Sequence, residues 1–288
     1  MKKYLQLAAQ IIRHGSLRSH GRDFQKGRMQ SLRHLQEFVP QRGAVKAGNS
    51  QPKTPNNLIG QLAFIRNAFN SKGGHLSVSG LSYVRIPKSA NTSISYAMLI
   101  KKYPLLAEQN PDETQINFLT DVNLQTVAEA GSETVFTVVR NPFARLVSVY
   151  RDFFENAGSD FLYADYLFGI LKPELSFAEF VSKICRIPDR LKDQHFRPQQ
   201  LFVRPYEQHG KTVVALKLEE PETIDQFLRK HTMTLVHRNK SRDAYRYEHY
   251  YTPELLEQVF ALYRSDTEKF GYQAHYEALK ASLRSASR

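Results

Sequence analysis

The sequence has a single cysteine and lacks long apolar runs. Cys185 alone cannot form an internal disulfide framework or a cysteine-rich zinc site. No run approaches the roughly eighteen apolar residues of a membrane span, so no transmembrane helix is predicted. Residues 1–15 are basic, but polar side chains interrupt their apolar part, which argues against a secretory signal. These absences predict a reducing, cytoplasmic location. The apolar fraction of 41% still suffices for a folded core.

Acidic residues are scarce in the first part of the chain. Residues 1–53 hold eleven Lys and Arg but only two acids, and so carry nine of the twelve net positive charges. Residues 41–57 are poor in large apolar side chains and contain two Gly and two Pro, which is typical of a linker. We therefore expect a basic N-terminal extension and linker at 1–57, a folded domain at 58–275 and a C-terminal tail at 276–288.

The basic extension has apolar residues at helical spacings, which predicts a helical segment. Such a segment could lie on an anionic membrane surface. The alternatives are a solvated extension and a helix that packs on the folded domain.

The folded domain alternates predicted strands with predicted helices. Short β-branched apolar segments at 81–86, 134–139 and 212–216 are typical of buried strands, and amphipathic patterns lie between them. This alternation predicts an α/β fold with a central parallel sheet and helices on both faces. Helix starts are predicted at Asn141-Pro142 and Thr252-Pro253, and a helix end at Gly271.

A helix over residues 141–154 would have two distinct faces. At 100° per residue, one face is apolar and we expect it to be buried: Phe143, Val147, Tyr150 and Phe154. The opposite face is polar and we expect it to form a surface: Asn141, Arg145, Ser148 and Asp152.

Two segments follow predicted strands at the edge where open parallel sheets bind ligands. Residues 88–93 combine Lys88 with small residues and the hydroxyls of Thr92 and Ser93 at a helix N-terminus, which suits an anion. Arg140 and Ser148 lie on a polar surface that could meet a second anion. Taken singly, an ordinary strand-to-helix turn explains the first segment equally well, and an ordinary surface helix explains the second segment better.

Taken together, the two segments indicate one family more specifically than either segment does alone. Residues 86–94 (IPKSANTSI) resemble the 5′-phosphosulfate loop of the family 2, carbohydrate-type sulfotransferases, although Asn91 stands where many members have glycine. Residues 138–150 (VVRNPFARLVSVY) resemble the 3′-phosphate motif of the same family, and residues 193–199 and 250–272 also fit. The resemblance covers about residues 81–272.

The resemblance implies a P-loop-like enzyme. It would transfer a sulfuryl group from 3′-phosphoadenosine 5′-phosphosulfate (PAPS) to a hydroxyl of a carbohydrate or glycolipid, and we expect no metal. Lys88 would contact the phosphosulfate and stabilise the leaving phosphate. The residues implied at the 5′-phosphate are Ser89, Ala90, Asn91, Thr92 and Ser93, and those implied at the 3′-phosphate are Arg140 and Ser148.

The base that takes the acceptor's proton is a separate question. His195 is the candidate, and its alternative role is a structural hydrogen bond in its own loop. Glu207 and His209 are the next candidates. Lys240 or Ser241 could also touch the 3′-phosphate, and a solvated turn is the equal alternative.

Two other classes of protein remain to be weighed. A kinase-like P-loop protein would need the Gly-Lys-Ser/Thr order, which residues 86–94 lack. A basic nucleic-acid-binding module would need base-reading motifs, and we find none. Without a predicted membrane anchor, the resemblance favours a bacterial, cytoplasmic enzyme, with the basic extension placing it at the inner face of the membrane.

Overall fold

The computed structural model describes residues 74–131, 133–156, 170–235 and 246–286. The basic extension, the linker, Lys240 and Ser241 lie outside these ranges, so the expectations placed on them stay predictions. None of the helices in the described ranges combines the length and apolarity that a membrane span needs.

A four-stranded sheet lies at the centre of the described residues. Strand β1 (His75–Val78) pairs antiparallel with β2 (Leu81–Val84), and β2, β3 (Thr134–Val139) and β4 (Val213–Lys217) run parallel in that order. The three predicted strands are confirmed to within two residues.

Strand β1 was not predicted from the sequence. It joins β2 through Ser79 and Gly80, which both have positive φ, at 48° and 79°. Two consecutive residues with positive φ form the turn that matches the twist of a hairpin, and Gly80 adopts this conformation without steric cost. The Ser-Gly pair therefore makes β1 an antiparallel edge strand on an otherwise parallel sheet.

Helices cover both faces of the sheet, which confirms the predicted α/β fold. The α-helices of the described ranges are α1 (Asn91–Lys102), α2 (Glu113–Asn123), α3 (Pro142–Tyr150), α4 (Phe177–Arg186), α5 (Gln200–Gln208), α6 (Pro221–Lys230), α7 (Pro253–Lys269) and α8 (Gln273–Ala286). Phe136 and Val138 on β3 pack with α1, α2 and α6, while Val139 on the opposite face packs with α5 and the α7–α8 junction.

Helix α3 begins as predicted and ends differently. Asn141 is its N-cap and accepts a hydrogen bond from the backbone N–H of Phe143 at 3.0 Å, with Pro142 at the first helical position. After Tyr150 the chain continues as a π-helical turn, Arg151–Glu155. The expected apolar face is buried at Phe143, Val147 and Phe154.

The expected polar face of α3 is wrong at two positions, since Asn141 and Arg145 are both only 2% exposed. Helical periodicity shows which residues share a face of the helix, but it does not show whether another element covers that face. The loop after β2 and the loop before α5 cover Arg145, and their backbone carbonyls accept its hydrogen bonds. The Asn141 amide instead donates to the Tyr247 hydroxyl at 3.3 Å.

The C-terminal helices extend the domain beyond the expected boundary. Helix α7 starts at the predicted Thr252, whose side chain accepts from the N–H of Leu255, and Gly271 has φ 69°. Helix α8 then buries Tyr276 and Leu279 in the same core as α3, α4 and α7. Residues 276–286, for which we expected a C-terminal tail, therefore form most of α8 and pack on α7.

Helix α5 starts at the carboxyl edge of the sheet, anchored by a carboxylate of α7. The Asp266 oxygens accept hydrogen bonds from the backbone N–H groups of Gln199 and Gln200, at 2.7 and 2.8 Å. Burial raises the pKa of Asp266 to about 6 from its ordinary 3.8, although these N–H donors and Arg145 oppose the shift.

The pKa of Asp266 predicts a pH-dependent stability. Between pH 3.8 and about 6 the folded chain binds more protons than the unfolded chain, so this group's contribution falls as pH rises. Asp266→Asn should be less stable by an amount that does not depend on pH, because its anchor to α5 is weaker. It should also lack the decrease in stability with rising pH that the Asp266 carboxyl causes. Relative to wild type, we expect the variant to gain roughly 2–3 kcal/mol between about pH 4 and about pH 7. Urea unfolding across this interval measures the difference, and a difference independent of pH would contradict the prediction.

Candidate functional site

Two strand-to-helix segments meet at the carboxyl edge of the sheet. The donor loop (residues 87–93) follows β2, and Arg140 and Asn141 follow β3. The Arg140 guanidinium donates to the backbone oxygen of Lys88 at 3.2 Å. The structure thus brings together the two segments that the sequence separates by about fifty residues.

The donor loop has an unusual backbone. Lys88 and Ala90 both lie in the left-handed region, with φ 65° and 54°. Such a conformation costs a non-glycine residue roughly 1 kcal/mol or more and is concentrated at functional sites. Alternation of left- and right-handed residues turns successive N–H groups toward one concavity, where anions bind. Within the described residues, no side chain caps α1 at Ala90, so the helix N-terminus opens toward this concavity.

The small polar residues of the loop are already engaged with the protein. Asn91, the first residue of α1, accepts from the Ser95 hydroxyl at 3.4 Å, and its amide donates to Asn117 at 3.4 Å. The Thr92 hydroxyl donates to Glu113 on α2 at 3.3 Å. Ser93 is half-buried on the first turn of α1. The side chains of Asn91 and Thr92 therefore stabilise the α1–α2 contact, so the predicted contact of these two residues with an anion falls to their backbone.

Gln199 connects the donor loop to the end of β3. Its fully buried amide oxygen accepts from the Arg140 N–H at 2.9 Å and from the Ser89 hydroxyl at 3.3 Å. Its amide nitrogen donates to the Arg140 backbone oxygen at 2.8 Å. Because Asp266 holds the Gln199 backbone, one buried side chain fixes the relative position of both candidate anion-binding segments.

Arg145 connects the donor loop to the loop that carries His195. Its guanidinium donates to the backbone oxygens of Pro87 at 3.0 Å, Arg197 at 2.9 Å and Gln194 at 3.0 Å. Burial lowers the pKa of Arg145, and the charges of Asp266 and Asp193 are among the groups that oppose this. A guanidinium keeps its proton in proteins, so Arg145 is a buried cation whose hydrogen bonds are made to the backbone.

The two predicted catalytic side chains contact the same aromatic ring, that of Phe153. The Lys88 ammonium is 4.5 Å from the centroid of the Phe153 ring and forms an ion pair with Asp152. The Phe153 and His195 rings are 4.8 Å apart and meet edge to face. The π-helical turn after α3 supplies both Asp152 and Phe153, so it brings Lys88 and His195 to the same place.

Asp193 orients His195. A carboxylate oxygen of buried Asp193 lies 2.6 Å from His195 Nδ1 and also accepts the His195 backbone N–H at 3.0 Å. A carboxylate can only accept, so Nδ1 carries the hydrogen and the neutral ring has its lone pair on Nε2. This pairing provides both a structural hydrogen bond within the loop and the tautomer that a general base requires.

The remaining sequence candidates lie on α3, α4 and α5. Ser148 is half-buried on α3, two turns from Arg140. Glu207 pairs with Lys269 of α7 at 2.6 Å, and His209 contacts the Pro205 backbone oxygen at 2.8 Å, both at the far end of α5. Cys185 is half-buried on α4. No group of three or more His, Cys, Asp or Glu side chains in the described ranges could hold a metal ion.

The arrangement suits transfer of an anionic group to a hydroxyl. The Lys88 cation and an oriented imidazole, His195, both contact Phe153, and Arg140 donates to the Lys88 backbone. Sequence reasoning missed Gln199, Asp152 and Phe153 as parts of this site. Gln199 is the last residue of the segment 193–199 that resembles the family, and Asp152 lies on the expected polar face of α3. Neither of these sequence patterns shows which side chains Gln199 and Asp152 contact.

The match to a family model covers all of these residues. The model is described as the sulfotransferase family, and it matches residues 77–273, which is more than half of the chain. No curated protein and no solved structure matches the chain. The family match confirms the resemblance seen in the two motifs. The chain belongs to the sulfotransferase family.

Proposed function

We propose that the protein transfers the sulfuryl group of PAPS to a hydroxyl of a carbohydrate or glycolipid. The observation that carries this proposal is the hydrogen bond between Arg140 and the Lys88 backbone, which joins the two motifs into one anion-binding edge. PAPS has one anionic group at its 5′ end and another at its 3′ position. Each of the two segments at this edge of the sheet supplies one cation, Lys88 or Arg140. The sulfotransferase family generally uses PAPS as donor.

In this proposal Lys88 and the donor loop hold the 5′-phosphosulfate. Transfer of a sulfuryl group develops negative charge on the leaving phosphate oxygen, and a fixed ammonium and backbone N–H groups stabilise that charge. Arg140, at the start of α3, holds the 3′-phosphate together with Ser148. A 3′-phosphate contact distinguishes this donor from ATP, which makes the kinase-like alternative testable.

His195 is the proposed general base. The oriented Nε2 accepts the proton of the acceptor hydroxyl as that oxygen attacks the sulfur. Asp193 then stabilises the imidazolium that forms, as a carboxylate does behind a catalytic histidine. Phe153, which contacts both Lys88 and His195, provides an apolar surface where donor and acceptor meet.

The donor assignment predicts selective nucleotide binding. We expect calorimetric titration to show tight binding of 3′-phosphoadenosine 5′-phosphate (PAP) and weak binding of ATP. Arg140→Ala should remove a charge-assisted contact worth roughly 1.5–3 kcal/mol, about ten- to a hundredfold in affinity for PAP. Affinity for 5′-AMP, which lacks the 3′-phosphate, should change little. Arg229→Ala, which removes an exposed arginine from α6, is the matched control. Equal binding of ATP and PAP would overturn the donor assignment.

The catalytic roles predict a separation of turnover from binding. With radiolabelled PAPS and an acceptor selected from a panel of polysaccharides, Lys88→Ala should reduce turnover about a hundredfold or more. His195→Ala should reduce turnover by a similar factor, within the usual range for a general base, while PAP affinity stays within about twofold. His209→Ala is the control for loss of a histidine and should be fully active. Full activity of His195→Ala would show that another group is the base.

The basic extension is proposed to bring the enzyme to an anionic membrane. Residues 1–53 concentrate nine of the net positive charges, and each Lys or Arg near an anionic surface adds about 1 kcal/mol. The full-length protein should float with anionic liposomes at low salt, leave them at high salt, and stop floating when residues 1–53 are deleted. Flotation that survives the deletion, or no flotation of the intact protein, would assign the extension a different role.

A further inference from the structure

The Lys88 ammonium has a protein counter-ion in the absence of donor. The carboxylate of Asp152 pairs with it, and the face of Phe153 lies beneath it. The Lys88 side chain is 17% exposed, whereas that of Asp152 is 52% exposed. The cation is therefore held against the protein, while its partner lies mostly in water.

The π-helical turn that carries Asp152 is itself held in place. Glu155, at its end, accepts hydrogen bonds from the Tyr250 hydroxyl at 2.8 and 2.9 Å and from Arg151 at 3.1 Å. Single π-helical turns inside helices are rare and occur frequently at functional sites. These contacts fix the backbone of the turn, so only the Asp152 side chain needs to move for the ion pair to open.

A donor anion and the Asp152 carboxylate compete for the same cation. A phosphate held by the donor loop brings negative charge to Lys88, where Asp152 already lies, and two anions beside one ammonium repel each other. A half-exposed carboxylate regains most of its hydration by turning into water, so an exposed ion pair opens at little cost. Asp152 is thus suited to leave when the donor arrives.

We propose that Asp152 is the resting counter-ion of Lys88, exchanged for the 5′-anion of the nucleotide when it binds. Asp152 then acts through Lys88 as a positioning residue: it orders the ammonium over Phe153 before binding, and it limits affinity for the 5′-phosphate end of the donor. This inference rests on the proposed function, since it takes Lys88 as the group that contacts the donor's 5′-anion.

The test compares two nucleotides and three variants. Asp152→Asn should tighten PAP binding in calorimetry by about three- to fivefold, the size expected for an exposed ion pair that no longer competes. Binding of 3′-AMP, which has no 5′-phosphate, should be unchanged. Asp152→Glu, which retains a carboxylate, should keep wild-type affinity. Asp225→Asn removes a carboxylate from the exposed Arg229 pair on α6 and controls for net charge.

Several outcomes would overturn the inference. Unchanged or weaker binding of PAP by Asp152→Asn contradicts it, and so does equal tightening of PAP and 3′-AMP, which would indicate general electrostatics. Asp152→Ala provides a second neutral variant, and thermal unfolding confirms that each variant is folded. If the wild type binds PAP but Asp152→Asn binds no tighter, only this inference fails. If the wild type does not bind PAP, the donor assignment fails and the inference fails with it.

Discussion

The buried guanidinium of Arg145 is the interaction on which the rest of the site depends. It donates to backbone oxygens of both the donor loop and the loop of His195, at 2.9–3.0 Å. An arginine buried without such acceptors would be strongly destabilising, so the two loops must stay where their carbonyls can reach it. One α3 side chain therefore determines how far the proposed donor and acceptor halves of the site lie from each other.

The backbone strain of the site lies in the donor loop, whereas the contacts that maintain its conformation come from other elements. The left-handed residues Lys88 and Ala90 would relax if the loop were free, and the surrounding contacts hold them in place. Those contacts come from elements distant in sequence: Gln199 on Ser89, Arg140 on the Lys88 backbone oxygen, and Asp266 beneath Gln199. A preorganised concavity of N–H groups needs no reorganisation when charge develops, which is the property that a sulfuryl-transfer site requires.

Local patterns predicted three of the four strands of the described residues, the starts of two helices and the family. The β-branched runs marked β2, β3 and β4, and Asn141-Pro142 and Thr252-Pro253 marked the starts of α3 and α7, since caps and buried strands depend on a few neighbouring residues. The same patterns did not predict burial by elements that are distant in sequence. Periodicity assigns Arg145 to the polar face of a helix, yet loops cover it, and residues 276–286, expected to be a tail, pack on α7. Periodicity does not show which surface another element will cover.

The sequence by itself determined the α/β alternation, the two motifs at residues 87–93 and 140–148, and the family to which the chain belongs. These depend on local chemistry: small residues and a lysine after a strand, and an arginine before a capped helix. Only the tertiary structure decided that Lys88 pairs with Asp152 above Phe153, that Asp193 orients His195, and that Gln199 joins the two segments. The reason is physical: the contacts of Lys88 and Gln199 join segments that the sheet crossovers and the π-helical turn bring together, and no spacing along the chain encodes such distances. Asp193 and His195 are only two residues apart, but the conformation of their loop decides that the carboxylate meets Nδ1.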